Sequence, residues 1–191
     1  TVVHLASIVR APKGAPRDLA YRVDVLGTQN VLNACAAAGV KKLIVTSSGA
    51  AYGYHADTPL WIDESAPLRG NDEFEYAKNK RLVEDMLALW RSDRPELQQV
   101  VFRPGTIVGE AVHSPVTDLF EKPFILGVAG SDSPFVFIWD EDLVACLVDA
   151  AFSTKTGVYN QAGDGALTSR QIARMLHKPY VAPPAFVLKA I

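Results

Sequence analysis

The chain has 191 residues, 49% hydrophobic and 21% charged, with a formal net charge of −2, the composition of a globular protein with one sizeable core. That balance excludes the basic footprint of a nucleic-acid binder and a polybasic membrane contact, and no apolar run is long enough to span a bilayer. Cys35 and Cys146 lie in apolar runs and read as buried thiols of a cytoplasmic protein; the four scattered histidines lack ligand spacing, so no metal site is expected.

In chain order, residues 2–8 read as a buried strand and 10–17, with two prolines and a glycine, as a loop. Residues 19–38 have helical periodicity, with Val23, Leu26, Val31, Leu32 and Cys35 inward and Gly39 placed to cap the C-terminus. A β-branched strand at 42–47 leads into a long polar loop, 49–72. Residues 73–91 form an amphipathic helix whose apolar face is Leu82, Val83, Met86, Leu87 and Trp90. The next strand, 99–103, is stopped by Pro104-Gly105. Residues 109–134 are loosely patterned and rich in proline and glycine. A strand at 135–139, a helix over 140–152, a strand over 157–161 and a helix at 168–176, opened by the capping-box pattern Thr168-x-x-Gln171, complete the chain. Alternating strands and helices with continuously apolar strands predict an α/β fold with a parallel sheet covered on both faces. Such sheets bind ligands beyond the carboxyl ends of their strands, here Ala6-Ser7, Ser47-Ser48 and Pro104-Gly105.

Tyr76 and Lys80, four apart, share a face of the 73–91 helix. An ammonium beside a phenol stabilises the phenolate and lowers the tyrosine pKa from its ordinary value of about 10, which suits the phenol to proton transfer near neutral pH. Ser48, at a strand end, offers a hydroxyl to the same substrate oxygen. In a chain with six tyrosines the spacing alone is close to a chance match, and Lys80 equally has Glu84 at i+4 as a surface ion-pair partner.

The pair keeps ordered company. His4-Leu5-Ala6 closes the first strand, Gly27-Thr28-Gln29-Asn30-Val31-Leu32 lies in the first helix, and Ser47-Ser48-Gly49-Ala50-Ala51-Tyr52-Gly53 follows the second strand. Tyr76-Ala77-Lys78-Asn79-Lys80 with Glu84, then Arg103-Pro104-Gly105-Thr106-Ile107-Val108-Gly109, then Trp139-Asp140-Glu141-Asp142-Leu143-Val144 complete the series. In this order the six segments resemble the extended short-chain dehydrogenase/reductases, or NAD-dependent epimerase/dehydratase family, over essentially the whole chain. The resemblance implies a Rossmann-like, doubly wound parallel sheet with a small C-terminal substrate-binding region. Residues 1–108 would be the later part of the NAD(P)-binding domain; 109–191 would be mostly substrate-binding, with elements returning to the sheet. It implies Tyr76 as general acid/base, Lys80 as the residue that holds the nicotinamide ribose and tunes Tyr76, and Ser48 as the residue that orients the substrate oxygen. Leu5, Ala6, Ser7 and Ser47 would line the cofactor, NAD or NADP, and the Pro104-Gly105 backbone would lie against its nicotinamide. A homodimer through the 73–91 helix is also implied.

Three departures qualify the resemblance. The family's Gly-x-x-Gly-x-x-Gly loop, which cradles the pyrophosphate, is absent, as is the residue that separates NAD from NADP. The native protein is therefore expected to extend upstream of Thr1 by roughly 60 to 80 residues, about two βαβ-sized units. Asp24 stands where the family often has asparagine, which anchors the cofactor side and a proton-relay water; an ionised aspartate accepts hydrogen bonds but cannot donate them. Gly49 and Ala50 stand where sugar-nucleotide 4,6-dehydratases carry Asp-Glu, and neither can transfer a proton, which disfavours dehydration.

The expected function is an NAD(P)-dependent oxidoreductase or epimerase acting on a secondary alcohol or ketone, such as a nucleotide sugar. The substrate is expected beneath residues 109–137 and the 53–72 loop, with Arg69, Arg103 and Trp61 as candidate contacts and Asp57, Asp63 and Glu64 as solvated charge. An apolar set, Phe120, Phe124, Ile125, Leu126, Phe135 and Phe137, keeps a hydroxysteroid- or dihydroflavonol-type ketone reductase open. A non-catalytic NAD(P)-sensing regulator is the reading from another class, and the complete Ser48, Tyr76, Lys80 set argues against it.

Overall fold

The computed structural model describes residues 1–132 and 134–188. The chain divides into two compact units, residues 1–104 with 142–161, and residues 105–141 with 162–191.

In the first unit β1 (Val2–His4), β2 (Lys42–Thr46), β3 (Gln98–Pro104) and β8 (Gly157–Gln161) form a parallel sheet in the order β1-β2-β3-β8. The order runs one way, as in one half of a doubly wound sheet. Side chains alternate across the strands. Leu43, Val45 and Val101 face a core with Leu32, Cys35, Val83 and Leu87, while Ile44, Val100 and Phe102 face Ala150, with Cys146 and Leu147 packed against them. Helices therefore cover both faces, which is why β2 is buried along nearly its whole length. Lys42 is buried too. Its ammonium donates to the carbonyls of Ala150 and Ser153, answering the negative end of α5 (Asp140–Phe152).

The segment expected as one helix is α1 (Leu19–Tyr21), a π turn over Arg22–Leu26 and α2 (Gly27–Ala37), joined without a break in helical backbone. The π turn rotates the inward face. Asp24, Val25 and Thr28 are buried, and Leu26, expected inside, is exposed. The segment ends in a Schellman motif: Gly39, at φ 63°, donates to Ala36 O and Val40 to Cys35 O. Helix α3 (Glu75–Asp93) starts two residues later than expected because Phe74 is extended.

The second unit is built from short pieces: β4 (Thr106–Val108) beside β7 (Phe137–Trp139), β5 (Ile125–Leu126) beside β10 (Tyr180–Val181), and β6 (Pro134–Phe135) antiparallel to β9 (Leu167–Thr168). Three short helices, α4 (Thr117–Glu121), α6 (Ser169–Met175) and α7 (Ala185–Leu188), accompany them. The single strand expected at 135–139 is broken at Val136, whose carbonyl accepts the Thr106 N–H at 2.8 Å; the break lets β6 and β7 take different partners. Gly105 is needed there, since a Cβ would sit 2.7 Å from that carbonyl oxygen. Ile125, Ile172 and Ala173 form the core, with Phe120, Phe135 and Phe137 in mutual ring contact against it. Thr168 closes the expected capping box with Gln171.

Candidate active site

Ser48 follows β2 and caps the 3₁₀ turn Gly49–Tyr52, its hydroxyl oxygen accepting the Ala50 N–H at 3.1 Å. Tyr76 and Lys80 lie on the first turns of α3. The Lys80 ammonium is 5.6 Å from the Tyr76 ring centre and donates to the Thr46 carbonyl, at the end of β2, at 3.2 Å. The Ser48 side chain lies beside the Tyr76 phenol, near enough to favour its ionised form. Three residues separated by up to 32 positions thus converge at the carboxyl end of one strand.

The electrostatics differ from expectation. Burial pushes the Tyr76 phenol above its usual range; the neighbouring Ser48 hydroxyl opposes this, and the charge of Asp24 adds to it. Lys80 is 4% exposed, and burial holds its ammonium below the usual lysine range, against the pull of Asp24 and Glu84. The expected lowering of the tyrosine pKa is therefore not what this chain alone produces: desolvation of the phenol dominates, and the influence that opposes it comes from Ser48 rather than Lys80.

The expected cofactor-side residues lie at the same sheet end. Leu5 and Ala6 follow β1 and are exposed, and the Ser7 hydroxyl is buried without a protein partner among the described residues. Lys80, with three donors, has the Thr46 carbonyl as its hydrogen-bond acceptor. An exposed apolar pair, an unanswered hydroxyl and spare ammonium protons fit a nicotinamide riboside. Pro104 is buried at the end of β3, and Gly105 opens the second unit. Ser47 donates its hydroxyl to Glu84 and its N–H to Phe102 O, so its carbonyl is what remains to offer.

A buried polar network supports the site, and sequence reasoning missed it. Glu84 does not pair with Lys80, and Arg103 does not await a substrate: the Arg103 guanidinium grips both Glu84 oxygens at 2.6 to 3.0 Å, and both side chains are at most 6% exposed. Burial works against the Arg103 charge, but the bonds to Glu84 outweigh it and hold the guanidinium firmly protonated. Arg103 also donates to the Tyr52 hydroxyl at 2.7 Å and the Glu64 carbonyl at 3.2 Å. Tyr52 shares its one hydroxyl proton between the Asn160 side-chain oxygen at 2.8 Å and Asp63 O at 3.2 Å; Asn160 donates to Ile62 O and, through its backbone N–H, to the Glu64 carboxylate. Three successive loop carbonyls, 62 to 64, are thereby tied to β3, β8 and the turn after Ser48. Glu64, expected as solvated charge, is part of this clasp. The clue lay in the motifs, since Glu84 sits one helical turn beyond Lys80 and Arg103 precedes the strand-ending proline. Arg69 instead pairs with Asp57 at 2.9 Å, and Trp61 is exposed.

The family model described as the NAD dependent epimerase/dehydratase family matches residues 1–124. The chain belongs to this family. The epimerase/dehydratase match contains Ser48, Tyr76, Lys80, Glu84 and Arg103. Over 124 residues, 64% of this chain and 35% of the relative, the chain is 39% identical to the N-acetyl-alpha-D-glucosaminyl-diphospho-ditrans,octacis-undecaprenol 4-epimerase of Escherichia coli O157:H7. An uncharacterized Mycobacterium tuberculosis protein is 23% identical over 192 residues, 100% of this chain and 51% of the relative. The structure of the Thermus thermophilus UDP-glucose 4-epimerase, solved in complex with NAD, superimposes with a TM-score of 0.74 at 24% identity, over 95% of this chain and 64% of that one. This likeness shows the Rossmann-like fold. The chain spans about half the length of the mycobacterial relative. Among the described residues, no group of three or more His, Cys, Asp or Glu could hold a metal ion, and no helix is long and apolar enough to cross a membrane.

Proposed function

We propose that the protein is an NAD(P)-dependent epimerase or oxidoreductase of a secondary alcohol or ketone, with a sugar carried on a diphosphate as the favoured substrate class. The convergence of Ser48, Tyr76 and Lys80 at one strand end carries this reading, and the 39% identity to a 4-epimerase supports the substrate class. Leu5, Ala6, Ser7 and Lys80 would hold the nicotinamide end of the cofactor, and the Pro104-Gly105 backbone would flank it. The nicotinamide, when bound, accepts or returns the hydride and in its oxidised form carries positive charge.

The chain's own residues handle the proton. Ser48 donates a hydrogen bond to the substrate oxygen and fixes its position. Tyr76, kept neutral by burial, gives its proton to a ketone oxygen in the reducing direction. In the oxidising direction the ionised phenolate, stabilised by the Lys80 charge, takes the hydroxyl proton and returns to the phenol. Gly49 and Ala50, beside Ser48, have no proton to transfer, which favours epimerisation or oxidoreduction over elimination of water. The first unit would carry cofactor and proton transfer, and the second the substrate. Tyr76→Phe in the full-length protein is expected to keep NAD⁺ binding and to lower kcat by at least about 100-fold, the scale of a lost general acid/base; wild-type kcat in that variant would refute the assignment.

A further inference from the structure

The acid–base reading of Ser48, Tyr76 and Lys80 makes no use of the buried carboxylate of Asp24. Asp24 is 1% exposed and sits in the π turn that packs against α3. One carboxylate oxygen accepts the Ile8 N–H at 3.1 Å; the other has no partner among the described residues. Single π turns concentrate at functional positions, and a buried carboxylate oxygen without a partner is costly unless a cation answers it.

The groups around it narrow the choice. From β1 comes His4. Thr28 gives its one hydroxyl proton to the Asp24 carbonyl oxygen at 2.6 Å, so it accepts from His4 Nε2 at 3.0 Å. Burial, with Lys80 adding to it, holds the imidazole below its ordinary pKa, and His4 is no cation at neutral pH. From α3 come Tyr76, Lys80 and Glu84, and from the loop that precedes α3 comes Tyr54, which acts on Tyr76. The Glu84 charge is already matched by Arg103, with Ser47 on the same carboxylate. Lys80 remains, buried, bonded to one neutral carbonyl.

We propose that Asp24 is a positioning residue of the active site, the counter-charge that keeps the buried Lys80 an ammonium. No direct ion pair joins the two among the described residues, so the coupling acts through space. A direct salt bridge would consume the ammonium protons; a carboxylate at a distance supports the charge and leaves those protons for a ribose hydroxyl and for the Tyr76 phenolate. Asparagine at position 24 would preserve the shape and the Ile8 hydrogen bond and remove this support.

The test is a ¹⁵N titration of the lysine ammonium groups in the cofactor-free, full-length protein, with Lys80 assigned through Lys80→Arg. In Asp24→Asn the Lys80 midpoint is expected to fall by about one unit, a tenfold loss of proton affinity. A site merely loosened by the substitution would admit water and raise the midpoint toward that of an ordinary lysine, so an unchanged or raised midpoint overturns the proposal. Should Asp24→Asn not fold, Asp24→Ser is titrated in its place, and an unchanged or raised Lys80 midpoint there overturns the proposal equally. The inference rests on the acid–base reading but fails separately from it. Unimpaired turnover in Tyr76→Phe would end that reading without moving these midpoints.

Discussion

His4 shows how one residue couples the sheet to the acid–base cluster. Its ring lies on β1 opposite Val45 of β2, and its Nε2–H is spent on Thr28. Burial and the nearby Lys80 charge lower its pKa from 6.5, so the folded state resists a proton that the unfolded chain accepts. The stability this gives is present in full above about pH 6.5 and is lost as the pH falls through the folded-state value. His4→Gln, which keeps a donor for Thr28, is expected to flatten the acid side of the stability profile, whose slope from one such group cannot exceed about 1.4 kcal/mol per pH unit. Urea unfolding at intervals over roughly pH 5 to 8 checks this; an unchanged profile would mean that other groups govern it.

At the scale of elements, the Glu84–Arg103 pair joins α3 to β3, and Tyr52 with Asn160 extends the connection to the 62–64 loop and β8. The network holds the helix bearing Tyr76 and Lys80 against the strand end bearing Ser48. Arg103→Leu would leave the Glu84 carboxylate buried and unpaired, at a cost of about 3–5 kcal/mol. It would also free the Glu64 carbonyl and the Tyr52 hydroxyl oxygen. The expected outcome is a matching fall in the guanidinium unfolding midpoint, together with faster proteolytic cleavage within residues 56–68. Arg103→Lys should recover little of this, because an ammonium cannot grip both carboxylate oxygens in the guanidinium's planar geometry.

For the whole molecule, the testable property is ligand-linked stability. A cofactor that binds the folded protein alone raises stability by about 2.7 kcal/mol at a concentration of 100 times Kd. In the full-length protein NAD⁺ or NADP⁺ is expected to raise Tm by several degrees and Lys80→Met to remove most of the gain, since methionine keeps the packing and loses the donors. Adding UDP-sugars or a steroid ketone alongside the cofactor separates the two substrate classes: further stabilisation by the sugar favours the epimerase reading. On α3, Leu82 and Met86 pack against the core while Leu89 is two-thirds exposed, and that flank is where a homodimer contact would form.

Much was legible in the residues themselves. Periodicity and capping patterns are local, and so residues 140–152 and 157–161, the Gly39 cap and the Thr168 capping box stood in the sequence as they stand in the structure. The parallel, doubly covered sheet followed from uninterrupted apolar strands. Ser48, Tyr76 and Lys80 could be named because their order and spacing resemble a family pattern, although spacing on one helix cannot show that Ser48 reaches the same phenol. Other features depended on which groups meet across the chain. The π turn moved Leu26 out and Asp24 in; Glu84 found Arg103 rather than Lys80; Val136 split a strand between two partners. The direction of the Tyr76 pKa also belongs to the tertiary structure. The sequence supplies the lysine one turn away, but desolvation depends on everything packed around the phenol, and here burial, reinforced by the Asp24 charge, outweighs the opposing influence of Ser48.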